Sequence, residues 1–379
     1  MTTAVVQVCL DLSPTLGGLT RGIHDIAAVL GGRIVAVDSG RFSPDHATIG
    51  ATVSRIATGT GPLVSRYLRL ARRAHDELSD ALAGADLVIC HSLYRAHMPA
   101  VRRICRGKSI PYWIVAHGML DPWVVSQRWL AKRWWLSGPG RPCLRDASRV
   151  LFSTSSEQQK AARFYRGANT TVAPWPITIP DLTGRASARA EVRRRLDVAD
   201  DERLLLWLAR YDQLKRPLEI VRAFASGVPA GWSLIMAGYE GDIPRASVEA
   251  LARLAGGGRV TTMDAVEGSA KADLLLAADA FVSLSWRENF GYAVAEAMAY
   301  GLPVCVTPDH DLLSDRYETP FVARVPNHSL PAAADALGAF LSQDSQVLAV
   351  AGAAGREWIA RTCSPEAFAM RLRSLVSMA

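Results

Sequence analysis

Short apolar runs alternate with amphipathic stretches along the whole chain. Residues 4–10, 33–37, 86–90, 112–116 and 149–153 in the first half, and 204–208, 233–237, 280–284 and 304–307 in the second, form apolar runs of four to seven residues. This alternation predicts strands of parallel sheets wrapped by helices, an α/β architecture. Between the two sets lies Pro174-Trp175-Pro176-Ile177-Thr178-Ile179-Pro180. It cannot be helical, because proline lacks the amide donor and pushes the preceding residue out of the helical region. It reads as an interdomain hinge, with one domain over residues 1–176 and a second over 177–362. Residues 365–378 again have helical spacing, so a terminal helix is expected within 363–379.

With 379 residues the chain is long enough for two such domains, each with its own core. Hydrophobic residues make up 49% and charged residues 21%, the composition of a soluble globular protein. No apolar run approaches the roughly 18 residues of a membrane-spanning helix, and the start lacks a basic, cleavable leader, so a cytoplasmic location is expected. Cys9, Cys90, Cys105, Cys143, Cys305 and Cys363 are scattered without C-x-x-C or Cys/His ligand spacing, which favours reduced thiols over disulfides or zinc.

The net charge of +7 conceals a split. Residues 1–180 carry 22 Lys and Arg against 11 Asp and Glu, whereas the remainder carries 21 against 25. Anionic lipid headgroups or a diphosphate-linked acceptor suit the basic half, giving an expected peripheral contact on the inner face of the membrane. Nucleic acid is not expected, because no zinc finger, aromatic RNA platform or DNA-reading helix accompanies the charge. Gln127–Leu136 packs three tryptophans and three cations into ten positions. An interfacial contact and aromatic burial against the core both fit that pattern.

The most specific chemistry lies in Glu288-Asn289-Phe290-Gly291-Tyr292-Ala293-Val294-Ala295-Glu296-Ala297-Met298-Ala299-Tyr300-Gly301-Leu302-Pro303-Val304. A helix is predicted to open around Gly291 or Tyr292 and stop at Gly301, with a strand following Pro303. Glu288 then precedes the helix and Glu296 lies inside it. The two carboxylates can stand on the order of 10 Å apart, with the helix's first amides, free of intrahelical partners, between them to face an anion. Taken alone, the pair reads more simply as a solvated helix glutamate and a loop glutamate that happens to precede it. A nicotinamide-dependent dehydrogenase would need a G-x-G-x-x-G turn after the first strand. Gly17-Gly18 there, and Gly59-Thr60-Gly61-Pro62 further on, do not supply it.

The Glu288–Val304 segment resembles the E-x7-E signature of retaining glycosyltransferases of family 4, whose GT-B fold sets two Rossmann-like parallel-sheet domains facing a cleft. The resemblance implies that Glu288 binds hydroxyls of a donor sugar and Glu296 the ribose. Asn289, Phe290, Gly291 and Tyr292 would form the donor-binding turn, the last three lending main-chain amides to the phosphates. Leu206–Pro217 is similar to the family loop whose arginine and lysine clamp those phosphates, here Arg210 and Lys215, although Arg216-Pro217 stands where many relatives have glycine. Two fixed cations suit a departing diphosphate. Gly17 and Gly18 resemble the family's glycine-rich first loop. The string His117-Gly118-Met119-Leu120-Asp121-Pro122-Trp123 looks like a signature of one branch that often builds bacterial surface polysaccharides, and it implies that His117 lies over the donor hexose. Lys271 falls in a segment resembling the one beside the nucleobase.

Catalysis is accordingly expected from His117, Glu288, Arg210 and Lys215. The terminal helix is expected to cross back onto the first domain. Asp121 reads more simply as a helix N-cap before Pro122, His91 as a cap, packing or cleft-lining residue, and His97 as a helix-face residue. The expected reaction moves a hexose from a GDP-mannose-like or UDP-sugar to a glycan or polyprenyl-diphosphate-linked acceptor in polysaccharide or lipopolysaccharide assembly. No cofactor or metal is expected: no D-x-D motif occurs, and Asp309-His310-Asp311 reads as loop contacts. An inactive GT-B partner subunit and a same-fold sugar-nucleotide epimerase are the alternatives.

Overall fold

The structure, a computed structural model, describes residues 3–12, 18–38, 52–57, 69–255, 258–316, 319–326 and 329–377. The chain divides into two compact units, one of residues 1–176 with 365–379 and one of residues 177–364.

The first unit carries seven strands, β1 (Val5–Cys9), β2 (Arg33–Asp38), β3 (Thr52–Ala57), β4 (Leu87–His91), β5 (Tyr112–Val115), β6 (Arg149–Phe152) and β7 (Thr170–Val172). Every pairing is parallel, in the order β3-β2-β1-β4-β5-β6-β7. β1, β4 and β5 are buried at every position. Val8, Cys90, Ile114 and Phe152 on the sheet pack with Leu78, Val101 and Ile104 from the covering helices. The second unit carries β8 (Arg203–Leu208), β9 (Trp232–Gly238), β10 (Val260–Asp264), β11 (Ala280–Ser283), β12 (Val304–Val306) and β13 (Val322–Arg324). Its parallel sheet has the order β10-β9-β8-β11-β12-β13. Trp207, Leu234 and Val282 meet Ile220, Phe224 and Leu337 in its core. Burying each such side chain contributes about 1.5–3 kcal/mol.

In both sheets the chain winds outward one way from the first strand, then returns to that strand's other side and winds the opposite way. The reversal falls between β1 and β4 in the first unit and between β8 and β11 in the second. At such a switch point the connections after neighbouring strands diverge to opposite faces, which leaves a crevice at the carboxyl ends of the strands. All nine expected strands are present; β3, β7, β10 and β13 were not expected from the pattern.

The chain passes between units at Pro176–Ile177 and again at Ser364–Pro365. The proline-rich segment forms neither helix nor strand. Trp175 is buried in the first unit, while Ile177 is buried in the second and its amide donates to the carbonyl of Cys363 at 2.6 Å. The helix Ser345–Cys363 runs on to residue 363, and the break comes at Ser364, extended at φ −63° and ψ 154°. A residue before proline is excluded from the helical region, so the division falls there, two residues beyond the expected one. The last helix, Pro365–Ser377, packs on the helix Gly18–Leu30, and its Phe368 and Leu372 are buried, Phe368 against Trp175 at 6.0 Å. All six cysteines are buried free thiols. Among the described residues, no helix is long and apolar enough to cross a membrane.

Candidate functional site

In the second unit the loops that follow β8 and β11 meet at the switch point. After β8, Asp212 organises the chain: its Oδ1 accepts from the Lys215 amide at 3.1 Å, capping the short 3-10 turn Gln213–Lys215, and its Oδ2 accepts from Arg210 Nε at 2.8 Å. Arg216 then takes a left-handed conformation, φ +56°, which turns the chain into the helix Pro217–Gly227. Its guanidinium lies over the Trp286 ring at 4.8 Å, and the Trp286 amide donates to the Leu214 carbonyl at 2.9 Å, so the two loops are tied together.

Across that tie the cations meet the carboxylates. Lys215 Nζ donates to Glu288 Oε2, and Lys271 Nζ lies 2.5 Å from Glu296 Oε2. Each glutamate of the pair therefore carries its own lysine. Arg210 is instead turned onto Asp212, with half of its side chain exposed. Burial pushes the Glu288 carboxyl up, but the Lys215 ammonium, His310 and hydrogen bonds from Lys215 and Ser285 outweigh it and hold the group below the ordinary glutamate value. The Glu288 backbone is pinned as well: its amide donates to the Asp309 carbonyl, and the Asp311 amide donates to the Glu288 carbonyl, both at 2.9 Å. Asp309-His310-Asp311 thus forms the expected loop contacts, and these fix the glutamate from behind. Burial also pushes His310 down to about 4, against the opposing pull of Glu288.

Gly291 begins the helix Tyr292–Ala299 from φ +77°. A Cβ there would lie 2.9 Å from Glu288 Cγ and 3.3 Å from His310 Nδ1, so both the conformation and the space call for glycine. Gly291→Ala is expected to cost about 2 kcal/mol from left-handed strain alone, read as a lower urea midpoint; an unchanged midpoint would show that the turn relaxes freely. The first amides of the helix lack intrahelical acceptors and carry the positive end of its dipole. Phe290 is buried edge-on to Tyr292 at 5.0 Å, and Asn289 is half-buried. Arg210, Lys215, Glu288, Asn289, Phe290, Gly291, Tyr292 and Glu296 are thus brought to one region, at and beyond the ends of β8 and β11.

In the first unit Gly18 opens the helix that follows β1, while Gly17 lies outside the described residues. His117 follows β5 with φ +48°, and Gly118 follows with φ +74°. The turn is held by Glu157: Oε1 accepts from the Gly118 amide at 2.6 Å, and Oε2 accepts from the Ser153 amide at 2.7 Å and hydroxyl at 2.8 Å. Thr154 Oγ1 accepts from the Glu157 amide at 3.0 Å, capping the helix Ser155–Ala161. Asp121 caps the helix Pro122–Ser126 through the Trp123 amide at 2.8 Å.

The His117 ring ends a chain of three polar groups. His91 Nε2 lies 2.8 Å from Gln7 Oε1, and His91 Nδ1 lies 2.9 Å from His117 Nε2. These contacts hold both rings in place, and which ring nitrogen donates follows from the tautomer. His117 also stacks on Trp175 at 5.5 Å and 14°. Gly22 permits this approach, since a Cβ there would come 3.2 Å from His117 Cε1. His97 does not lie on an open helix face: it is fully buried and bonds the His91 carbonyl at 2.9 Å. Burial pushes His117 down to about 3 and His97 to about 4, and lowers His91 in the same direction. All three are neutral at pH 7.

Gln7, Glu157 and Trp175 support these positions without having been expected to. Gln7 was readable as the one polar residue in Val5-Val6-Gln7-Val8-Cys9, and Glu157 as the last member of a Thr-x-x-Glu capping box. Trp175 carries no local signal for this role.

Two doubly wound parallel-sheet units, with polar groups gathered at the strand ends, define the GT-B architecture. Comparison with known proteins supplies the family. A model described as glycosyl transferases group 1 matches residues 188–358, and one described as glycosyltransferase family 4 matches residues 16–179. Together they take in most of the chain, which belongs to the family 4 glycosyltransferases. A D-inositol 3-phosphate glycosyltransferase of Xylanimonas cellulosilytica is 32% identical over 207 residues, 52% of this chain and 49% of that protein. The putative teichuronic acid biosynthesis glycosyltransferase TuaC of Bacillus subtilis is 29% identical over 161 residues, 42% of this chain and 39% of that protein. The chain spans about half the length of the curated relatives it matches, or less. The crystal structure of Anabaena HepE in complex with UDP shares the fold, with a TM-score of 0.81 at 15% identity over 100% of both chains.

Proposed function

We propose that this chain is a retaining glycosyltransferase that moves a hexose from a nucleotide-diphospho sugar to a hydroxyl of a glycan or polyprenyl-diphosphate-linked acceptor, in the assembly of a polysaccharide or lipopolysaccharide. The observation that carries this reading is the convergence of two lysines, two glutamates and a glycine-opened helix at the switch point between β8 and β11. A diphosphate needs positive charge and amides, and a diol needs a carboxylate to accept from it; the site holds both kinds of group. Lys215 and Arg210 stabilise the departing diphosphate, with the amides opening the helix Tyr292–Ala299 beside them. Glu288 and Glu296 hold the sugar and ribose hydroxyls, each exchanging part of its lysine contact for the ligand. His117, neutral and held by His91, keeps the sugar-orienting role that the family likeness gives it. Retention follows from attack by the acceptor hydroxyl on the face the diphosphate leaves. These cations fill the charge-neutralising role, and no metal enters the reading.

Thermal-shift measurement against GDP-, UDP- and dTDP-sugars tests the donor. UDP-glucose comes early in the panel because Anabaena HepE was also solved in complex with it. A bound donor at a hundred times Kd is expected to stabilise the fold by about 2.7 kcal/mol. Stabilisation by none of them would sink the reading. Release of the nucleotide without any acceptor would favour the epimerase, and donor binding without turnover in the presence of glycan or lipid-linked acceptors would favour an inactive partner subunit.

A further inference from the structure

The helix Trp129–Ser137 is fastened to the first unit by one side only. Trp135 is buried, edge-on to Tyr94 at 5.1 Å, and Gly140 leaves room for its ring. Lys132 is turned inward as well, donating to the Val124 carbonyl at 2.5 Å and lying over the Tyr94 ring. At 100° per residue, positions 129, 130, 133 and 134 fall on the other side of the helix. There Trp129 is 51% exposed, Leu130 69% and Trp134 54%, with Trp123 beside the helix in sequence at 41%. Arg133 lies over the Trp129 ring at 5.7 Å, and Arg128 and Arg141, which flank the helix in sequence, are exposed.

Half-exposed tryptophans gathered on one short helix are unusual on a surface that meets only water. The charge pattern names what they meet. Residues 122–145 contain five cations, Arg128, Lys132, Arg133, Arg141 and Arg145, and no acidic residue. A second copy of the chain docked face to face would set these cations against their own kind. An anionic bilayer accepts both halves of the pattern: indoles and Leu130 enter the boundary between headgroup and acyl chain, where an apolar ring with a polar N–H is at home, and the guanidinium groups stay among the lipid phosphates.

We propose that the face of Trp129, Leu130, Arg133 and Trp134, bordered by Trp123, Arg128 and Arg141, docks this protein on an anionic phospholipid surface, with the helix lying in the plane of the interface. The test is co-flotation of the full chain with vesicles of phosphatidylcholine alone and of phosphatidylcholine with one-third phosphatidylglycerol, at low and high salt. Binding to the anionic vesicles alone, weakened by salt and accompanied by a blue shift of tryptophan emission, is expected. Trp129→Ala with Trp134→Ala should reduce the bound fraction at least tenfold, since each removes a large apolar group from the contact. Arg133→Glu with Arg141→Glu should remove the preference for phosphatidylglycerol. Both pairs lie on the surface, and unchanged melting and unchanged donor-induced thermal shift would certify the fold. Absence of binding to anionic vesicles, or equal binding by the tryptophan pair, overturns the assignment. So does a wild-type dimer in light scattering that the tryptophan substitutions dissolve, which would give the face to a second copy.

Discussion

Replacing Lys215 by alanine is expected to lower sugar transfer about a thousandfold, the size of effect seen when one preorganised donor is removed from a developing charge. The argument rests on geometry. Lys215 ends the 3-10 turn capped by Asp212, so its ammonium is delivered to the switch point by main-chain structure, and it already contacts Glu288. Substitution removes the cation assigned to the leaving diphosphate and also leaves the Glu288 carboxylate without its ammonium. Truncating one member of a fully buried pair costs about 3–5 kcal/mol. Here the two side chains retain 20% and 22% exposure, so water repays much of that and a smaller loss is expected. Pairing the change with Glu288→Gln separates the effects. The double variant should recover stability in a urea titration, because the orphaned charge is gone, yet transfer should stay at the level of the single lysine variant or below. Undiminished transfer by Lys215→Ala in steady-state assays would remove the lysine from the mechanism.

What the sequence displayed, and what it hid, follows from burial. β1, β4 and β5 are covered on both faces, so selection for apolar side chains acts at every position and the strands read as unbroken runs. The four strands that escaped notice, β3, β7, β10 and β13, are the four edges of the two sheets. β3 is exposed at every position but Ile56, β7 is three half-buried residues, Thr170-Thr171-Val172, and β10 has no fully buried residue. An edge strand is short and half-covered, and local periodicity does not mark it. The site divides in the same manner. Glu288, Gly291 and Glu296 sit within one turn-and-helix segment, so their spacing alone placed them together. Lys215 and Glu288 meet only because β8 and β11 are neighbours in the sheet, a register that no local pattern encodes. The Gln7–His91–His117 chain is harder still: its members come from β1, β4 and the turn after β5, and become neighbours only once that order is fixed. Resemblance to a family located His117, but the groups that hold its ring emerge only from the fold.

That cluster makes the first unit sensitive to mild acid. His97 is fully buried with a folded value near 4, whereas an unfolded histidine titrates near 6.5. Between those two values the unfolded chain holds a proton that the folded chain excludes, so stability falls as pH falls, by about 1.4 kcal/mol per pH unit for each such group. The loss begins near pH 6.5 and is complete for His97 near pH 4, where it reaches about 3 kcal/mol. His91 and His117 are shifted in the same direction in the same unit, so the slope there approaches three protons. Among its described residues the second unit has His310 as its one shifted histidine, and Glu288, held below its ordinary value, contributes in the opposite half of the acid range: its stabilisation is intact above the ordinary glutamate value and is lost only below it. Calorimetry between pH 7.5 and 5 should therefore show the transition of the first unit moving down faster than that of the second. His97→Gln keeps a donor for the His91 carbonyl and cannot take up the proton. Whatever its stability at pH 7.5, its loss between pH 6.5 and 5 should be smaller than that of the parent by about 2 kcal/mol. Equal slopes in the two proteins would mean that the buried imidazole of His97 takes up its proton without cost to the fold, and the neutral-cluster description of the His117 site would have to be abandoned.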